Sequence, residues 1–346
     1  VTDMTELFQT RTQFNDDISN WDVGNVTDMK YMFYNAYAFD QPLEQWNVSN
    51  VTNMGAMFFD ARDFNQPIAN WEREDSTIEN VTNMKGMFSD ARAFNQPLEQ
   101  WNVGNVTYMG YMFFGASAFN QPLDQWDVGN VTNMGYMFYN APAFNQPLEQ
   151  WNVSNVTNMV NMFNKASVFN QPLEQWNVSN VTNMRDMFKG ARAFNQPLNG
   201  WEREDSTVGN VTDMTGMFQA ASVFNQPLDL WDVSNVTNMG AMFFGARNFN
   251  QPIGQWDVGN GTITMRMFEG ANAFIGTYPN ARGDPSSVFR DPTSNTTLVQ
   301  YDDSFYPPDD DSFYDSDYEP FNDIDDYGSY YDDLEDVDQY YGSYYD

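Results

Sequence analysis

Every tryptophan in the chain stands on one ladder: Trp21, Trp46, Trp71, Trp101, Trp126, Trp151, Trp176, Trp201, Trp231 and Trp256. The intervals are 25 residues, except for two of 30. A fixed period of this size means a stack of like units, in which no unit buries its own apolar face and its neighbours must do so. One unit, Phe94 to Ala118, reads FNQPLEQWNVGNVTYMGYMFFGASA. All 21 methionines lie in such units. Both 30-residue intervals carry the same insert, Glu72-Arg73-Glu74-Asp75-Ser76-Thr77 and Glu202-Arg203-Glu204-Asp205-Ser206-Thr207. Their separation of 130 residues indicates that a five-unit block was itself duplicated. The inserts read as loops for lateral contacts.

Two periodicities alternate within a unit. Met84, Met87, Phe88 and Ala91 follow the i, i+3, i+4, i+7 spacing of a short helix facing a core, with Thr82 as its N-cap. Pro97 ends any helix, and Leu98-x-x-Trp101-x-Val103 puts Trp101 and Val103 on one side of a short strand. The expected fold is an α/β repeat solenoid, with short parallel strands on one face and short helices on the other. It spans 1–281 in about eleven repeats. A linker, 282–300, and an acidic Tyr/Asp-rich tail, 301–346, follow.

Composition excludes whole classes of chemistry. With no Cys and no His, the chain has no disulfide, no thiol nucleophile, no His-based triad and no Cys or His metal site. A net charge of −33 argues against nucleic acid and against anionic membranes. No apolar run is long enough for membrane insertion. The start at Val1 reads as a mature or truncated product. Carboxylates are plentiful but recur in every repeat instead of converging, so an enzyme is not expected.

The unit F-N-Q-P-L-x-x-W-x-V-S/G-N-V-T-N-M-x-x-M-F-x-x-A resembles the repeat of the BspA-like leucine-rich-repeat surface proteins, found in mycoplasma and other bacteria with relatives in unicellular eukaryotes. The resemblance runs from Met4 to Phe274. It implies a leucine-rich-repeat-like solenoid at a cell surface, with adhesive or structural roles and no enzymatic activity. It also implies that Leu98, Trp101 and Val103 form the strand, Met84, Met87 and Phe88 the helix, and Asn105 the turn. No cysteine is present for a lipid anchor.

Asn-x-Ser/Thr acceptors recur at Asn25, Asn47, Asn50, Asn80, Asn105, Asn130, Asn152, Asn155, Asn177, Asn180, Asn210, Asn235, Asn260 and Asn295. They are candidate sites of N-linked glycans if a eukaryote secretes the chain. Asn-Val-Thr is equally part of the fold unit, where the asparagine would bond backbone of a neighbouring repeat. Asn47, Asn152 and Asn177 are expected to face outward. A second column, Glu44, Glu99, Asp124, Glu149 and Glu174, would stack like charges one repeat apart, screened by solvent or bridged by calcium.

The 46 residues from Tyr301 hold 17 Asp/Glu, 11 Tyr and no Lys or Arg. Charge alone predicts a self-repelling tail, yet aromatic rings are the usual anchors of interfaces. Tyr306, Tyr314, Tyr318, Tyr330, Tyr331, Tyr344 and Tyr345 are therefore candidates for docking on a neighbouring copy. Arg62, Arg92, Arg192 and Arg247, which share one position in their repeats, are candidates to receive them. Asp309, Asp310, Asp311, Asp315, Asp317 and Glu319 are candidate calcium ligands in an irregular site. The expected function is an extracellular or cell-surface structural protein that assembles head to tail through its tail. The alternative is a monomeric adhesin that binds glycans or matrix proteins by its sheet face.

Overall fold

The computed structural model describes residues 1–289. The chain winds as stacked coils, joined by single parallel bridges that run from Asp3–Asp28 through Asn83–Tyr108 to Asn238–Ile263. It is a repeat solenoid, but its coils are built from turns. Among the described residues the coils up to Ala271 contain neither an α-helix nor a strand longer than an isolated bridge.

The Met-Phe segment shows why. The N–H groups of Met84, Gly86, Phe88 and Asp90 donate to the carbonyls of Tyr108, Gly110, Met112 and Phe114 in the following coil, at 2.6–3.1 Å. Those of Met87, Ser89 and Ala91 turn back three residues, to Met84, Gly86 and Phe88. An α-helix capped at Thr82 would turn the N–H groups of Gly86, Phe88 and Asp90 back onto its own carbonyls and withhold them from the neighbouring coil. The turns close on left-handed residues, Gly86 (φ 61°) and Asp90 (φ 51°), which a right-handed helix excludes. Met84, Met87, Phe88 and Ala91 are nonetheless fully buried. The spacing identified the inward side chains correctly and the backbone that carries them incorrectly.

The tryptophan strand is likewise replaced by a turn, closed by Trp101 N–H on the Leu98 carbonyl at 3.0 Å. The indole Nε1 then donates to the Ile68 carbonyl of the preceding coil at 3.3 Å. Each tryptophan from Trp46 to Trp256 makes the equivalent bond, for example Trp151 to Leu123 at 2.8 Å. Trp21, in the first coil, is 41% exposed. Thr82 caps no helix: its N–H and Oγ1 both donate to the Thr52 carbonyl, at 2.9 and 3.3 Å.

The Phe-Asn-Gln-Pro motif is a second ladder. Asn145 Oδ1 accepts from the N–H of Asn170 at 2.9 Å and from Nε2 of Gln171 at 3.1 Å. The same pair of bonds recurs from coil to coil. Inside, phenylalanines stack in two columns: Phe88 on Phe113 at 5.8 Å, and Phe94 on Phe119 at 6.1 Å. Within a coil, Phe88 and Phe94 are 4.1 Å apart. Each buried ring is an apolar contribution that exists only when the next coil is in place.

The inserts fold back on the solenoid instead of reaching out as lateral loops. After a 3-10 turn at Ala69–Trp71, Arg73 pairs with Ser76 in an antiparallel bridge. Its guanidinium donates to the carbonyls of Glu44, Gln45, Trp46 and Asn70 and to Asp75. Arg203 repeats the arrangement on Glu174, Gln175, Trp176, Gly200 and Asp205. A planar fork with five donors suits such a fan of carbonyls.

The end of the stretch read as solenoid, together with the start of the stretch read as linker, closes the last coil. A short helix α1 (Asn272–Thr277) and 3-10 turns at Pro279–Arg282 and Pro285–Val288 bring Phe289 to 6.2 Å from Trp256. Among the described residues no helix is long and apolar enough to cross a membrane.

Candidate functional site: the turn ridge

Between the inward Met84, Met87, Phe88 and Ala91, positions 85, 86, 89 and 90 form a ridge outside the core cluster. The ladders repeat almost without change, but the ridge does not. Where one coil has Gly86, others have Tyr31, Tyr111, Tyr136, Asp186 or Arg266; where one has Gly115, others have Asn35, Asp90, Lys165 or Ala220. All of these stand at left-handed φ, between 51° and 65°. Glycine adopts that conformation without penalty, whereas a bulky residue there costs about 1–2 kcal/mol. Tyr111 (φ 63°), Tyr136 (φ 60°) and Lys165 (φ 60°) are therefore side chains kept at a backbone cost.

The ridge gathers aromatic rings and cations. Tyr111 stacks on Tyr136 at 4.6 Å and 7°, and Phe114 on Tyr139 at 4.7 Å and 6°. Lys85 Nζ lies 5.4 Å from the Tyr108 ring, and Lys165 Nζ 5.7 Å from that of Tyr139. Nearer the N-terminus, Tyr34 stacks on Phe59 at 4.7 Å, and Lys30 sits 4.7 Å over Tyr31. All four lysines of the chain, Lys30, Lys85, Lys165 and Lys189, occupy ridge positions.

Two ridge carboxylates are perturbed. Burial above all, and then the neighbouring Asp60, push Asp90 up to about 6, against the pull of Arg92 and Arg62. The Asp90 carboxylate lies where a side chain on Gly115 would have to go, so the two positions are matched in adjacent coils. Asp186 is raised by burial, with Lys189 and Arg185 acting in the opposite sense, and it lies over Gly216 in the same way.

The candidates read from sequence are scattered by comparison. Arg62 is held by a bidentate bond to Asp60 at 2.8 and 2.9 Å and covers the Tyr37 ring at 4.0 Å. Arg92 lies 3.8 Å from Asp90, and Arg192 and Arg247 are exposed. Ser117, Pro142 and Ser167 stand between Arg92 and Arg192 in this column, and Ser222 between Arg192 and Arg247, so no continuous basic strip forms. Glu44, Glu99, Asp124, Glu149 and Glu174 are half-buried at equivalent positions. Among the described residues no group of three or more Asp or Glu is placed to hold a metal ion.

The sequon asparagines have a structural duty. Asn50, Asn80, Asn105, Asn130, Asn155, Asn180, Asn210 and Asn235 each donate Nδ2 to a carbonyl of the preceding coil at 2.6–2.8 Å. Asn25 and Asn260 are exposed in the first and last coils. Asn152 is exposed as expected, whereas Asn47 and Asn177 are partly buried and donate to Asp75 and Asp205 of the inserts. Asn295, the calcium candidates Asp309 to Glu319 and all seven tail tyrosines lie outside the described residues. The ridge itself was not singled out from sequence. Its signal was there: positions that vary between coils, set among positions that do not.

The family described as "Mycoplasma protein of unknown function, DUF285" matches residues 1–78, 74–156, 122–208 and 203–281. The chain belongs to this family. The match agrees, coarsely, with the BspA-like resemblance of the repeat. No curated protein sequence matches the chain. Among solved structures, a leucine rich cell surface protein from Faecalibacterium prausnitzii A2-165 is similar at 11% identity and a TM-score of 0.34, over 72% of this chain and 76% of that one. An internalin from Listeria monocytogenes is similar at 7% identity and a TM-score of 0.17, over 65% of this chain and 83% of that one.

Proposed function

We propose that this protein is a non-enzymatic scaffold of the cell surface or extracellular space. Its solenoid presents the ridge for recognition, and its copies are linked into a filament or appendage by the acidic segment 301–346. The observation that carries the reading is the ridge: bulky tyrosine, lysine and arginine side chains stand at left-handed positions that glycine fills in other coils. The surface location is supported by the BspA-like resemblance. Calcium bridging of the acidic segment and N-linked glycans belong to the same reading, the latter where a eukaryote secretes the chain.

The route of assembly follows from the ends. Residues 272–289 cover the last coil, with Phe289 on Trp256, so the coil ladder cannot be continued there by a second copy. Head-to-tail linkage then depends on the acidic segment. The second reading, a monomeric adhesin, is favoured by the same ridge aromatics, which suit a glycan or a matrix protein as well.

Negative-stain electron microscopy of the full chain and of a chain ending at Gln300, each with calcium and with EGTA, separates the two. Filaments that disappear on truncation support assembly. Single particles in all four samples sink it and leave the adhesin.

A further inference from the structure

We infer that the ridge between Lys85 and Lys165 is the docking site for the acidic, tyrosine-rich segment 301–346 of a second copy, an inference that rests on the assembly reading above. Here two aromatic stacks, Tyr111–Tyr136 and Phe114–Tyr139, run side by side from coil to coil. A lysine marks each end, Lys85 over Tyr108 and Lys165 over Tyr139. A segment that offers 11 tyrosines and 17 carboxylates, without one Lys or Arg, is the chemical complement of such a surface. Rings meet rings by offset stacking, and carboxylates meet the two ammonium groups at short range; the pairing is local, since residues 1–300 hold 31 Asp/Glu against 15 Lys/Arg. The ridge nearer the N-terminus carries one coil-to-coil stack, Tyr34 on Phe59, with Lys30 over Tyr31, whereas the stretch from Lys85 to Lys165 carries two stacks between two lysines.

The backbone supplies the second argument. Tyr111 and Tyr136 hold φ of 63° and 60°, where Gly86 and Gly216 serve the same turn in other coils. Replacing both tyrosines by glycine removes the rings while relieving the backbone. The fold and the site can therefore be tested apart.

A labelled synthetic peptide of residues 301–346 is titrated onto the full chain by fluorescence anisotropy. Binding to the parent, weakened by about tenfold or more in Y111G/Y136G and in K85E/K165E but unchanged in R192E/R247E, is the expected result, since anchor aromatics in an interface each carry more than about 1 kcal/mol. The urea midpoint of Y111G/Y136G, equal to or above the parent's, establishes that the fold is intact. Equal affinity across all variants, or no binding to the parent, overturns the docking site. Sedimentation of the same proteins distinguishes the two levels. A parent that binds the peptide at the ridge yet stays monomeric keeps the site and sinks the assembly reading. A parent that assembles, with ridge variants that assemble equally, keeps assembly and sinks the site.

Discussion

Arg73 reaches back across the insert to the carbonyl of Trp46, at 3.2 Å, with its neighbouring N–H groups on Glu44, Gln45 and Asn70. One guanidinium thereby ties an inserted loop to the coil before it, and Arg203 does the same five coils on. The insert adds length without breaking the ladder, since Thr82 still donates to Thr52 and Asn80 to Ser49 across it.

Arg73→Ala is expected to lower stability by roughly 2–3 kcal/mol, the usual range for losing hydrogen bonds to a charged group. Arg73→Lys should recover little of it, because an ammonium cannot span the fan of carbonyls. Urea midpoints of the two variants check this, and a lysine variant equal to the parent would show that charge alone suffices.

Trp151→Phe keeps a ring in the core but removes the indole donor from the Leu123 carbonyl. A buried acceptor left without its partner costs about 1–3 kcal/mol. The measurement is the urea midpoint compared with that of Trp21→Phe, whose exposed position in the first coil should make it nearly silent.

Ala220 holds φ 55° where Gly190 and Gly245 occupy the same turn in the adjoining coils. Ala220→Gly is expected to stabilise by roughly 0.5–1 kcal/mol, since the relief of a left-handed Cβ outweighs the added freedom of the unfolded chain. A lower melting temperature would refute the strain.

Asp90, raised to about 6, is a site where folding and protonation are linked. Its folded pKa lies above the ordinary carboxylate value near 4, so the native state binds the proton more tightly. Its contribution to stability is therefore fully present below pH 4, is lost as pH rises toward 6, and is absent at pH 7, a change of about 2–3 kcal/mol. Asp90→Asn, which tolerates the left-handed position, should be more stable than the parent at pH 7, and the two should converge as pH falls below 5. Urea titrations at pH 5 and pH 7 measure the difference, and a gap that does not change with pH rules out the linkage.

The core was legible in the sequence because inward positions repeat with the period of the chain. Trp101, Met84, Met87, Phe88 and Val103 are all buried, as their spacing required. The secondary structure was misread for a physical reason. A spacing of three and four brings Met84, Met87 and Phe88 to one side whether the backbone between them is a helix or a chain of turns. The difference lies in where the N–H of Phe88 goes, and its acceptor is the carbonyl of Met112, 24 residues away in the chain. Local pattern cannot report a partner supplied by the next coil. The Asn-Gln ladder, the indole bonds and the fan of Arg73 escaped for the same reason.

What the amino-acid order determined alone is the period, the duplicated block and the identity of the core. What only the tertiary structure decided is the path of the backbone and the ridge it creates. Stacking the coils brings Tyr111 to Tyr136 and Lys165 to Tyr139 from residues 25 or more apart, and sets Tyr111, Tyr136 and Lys165 on a left-handed backbone that glycine would hold more cheaply.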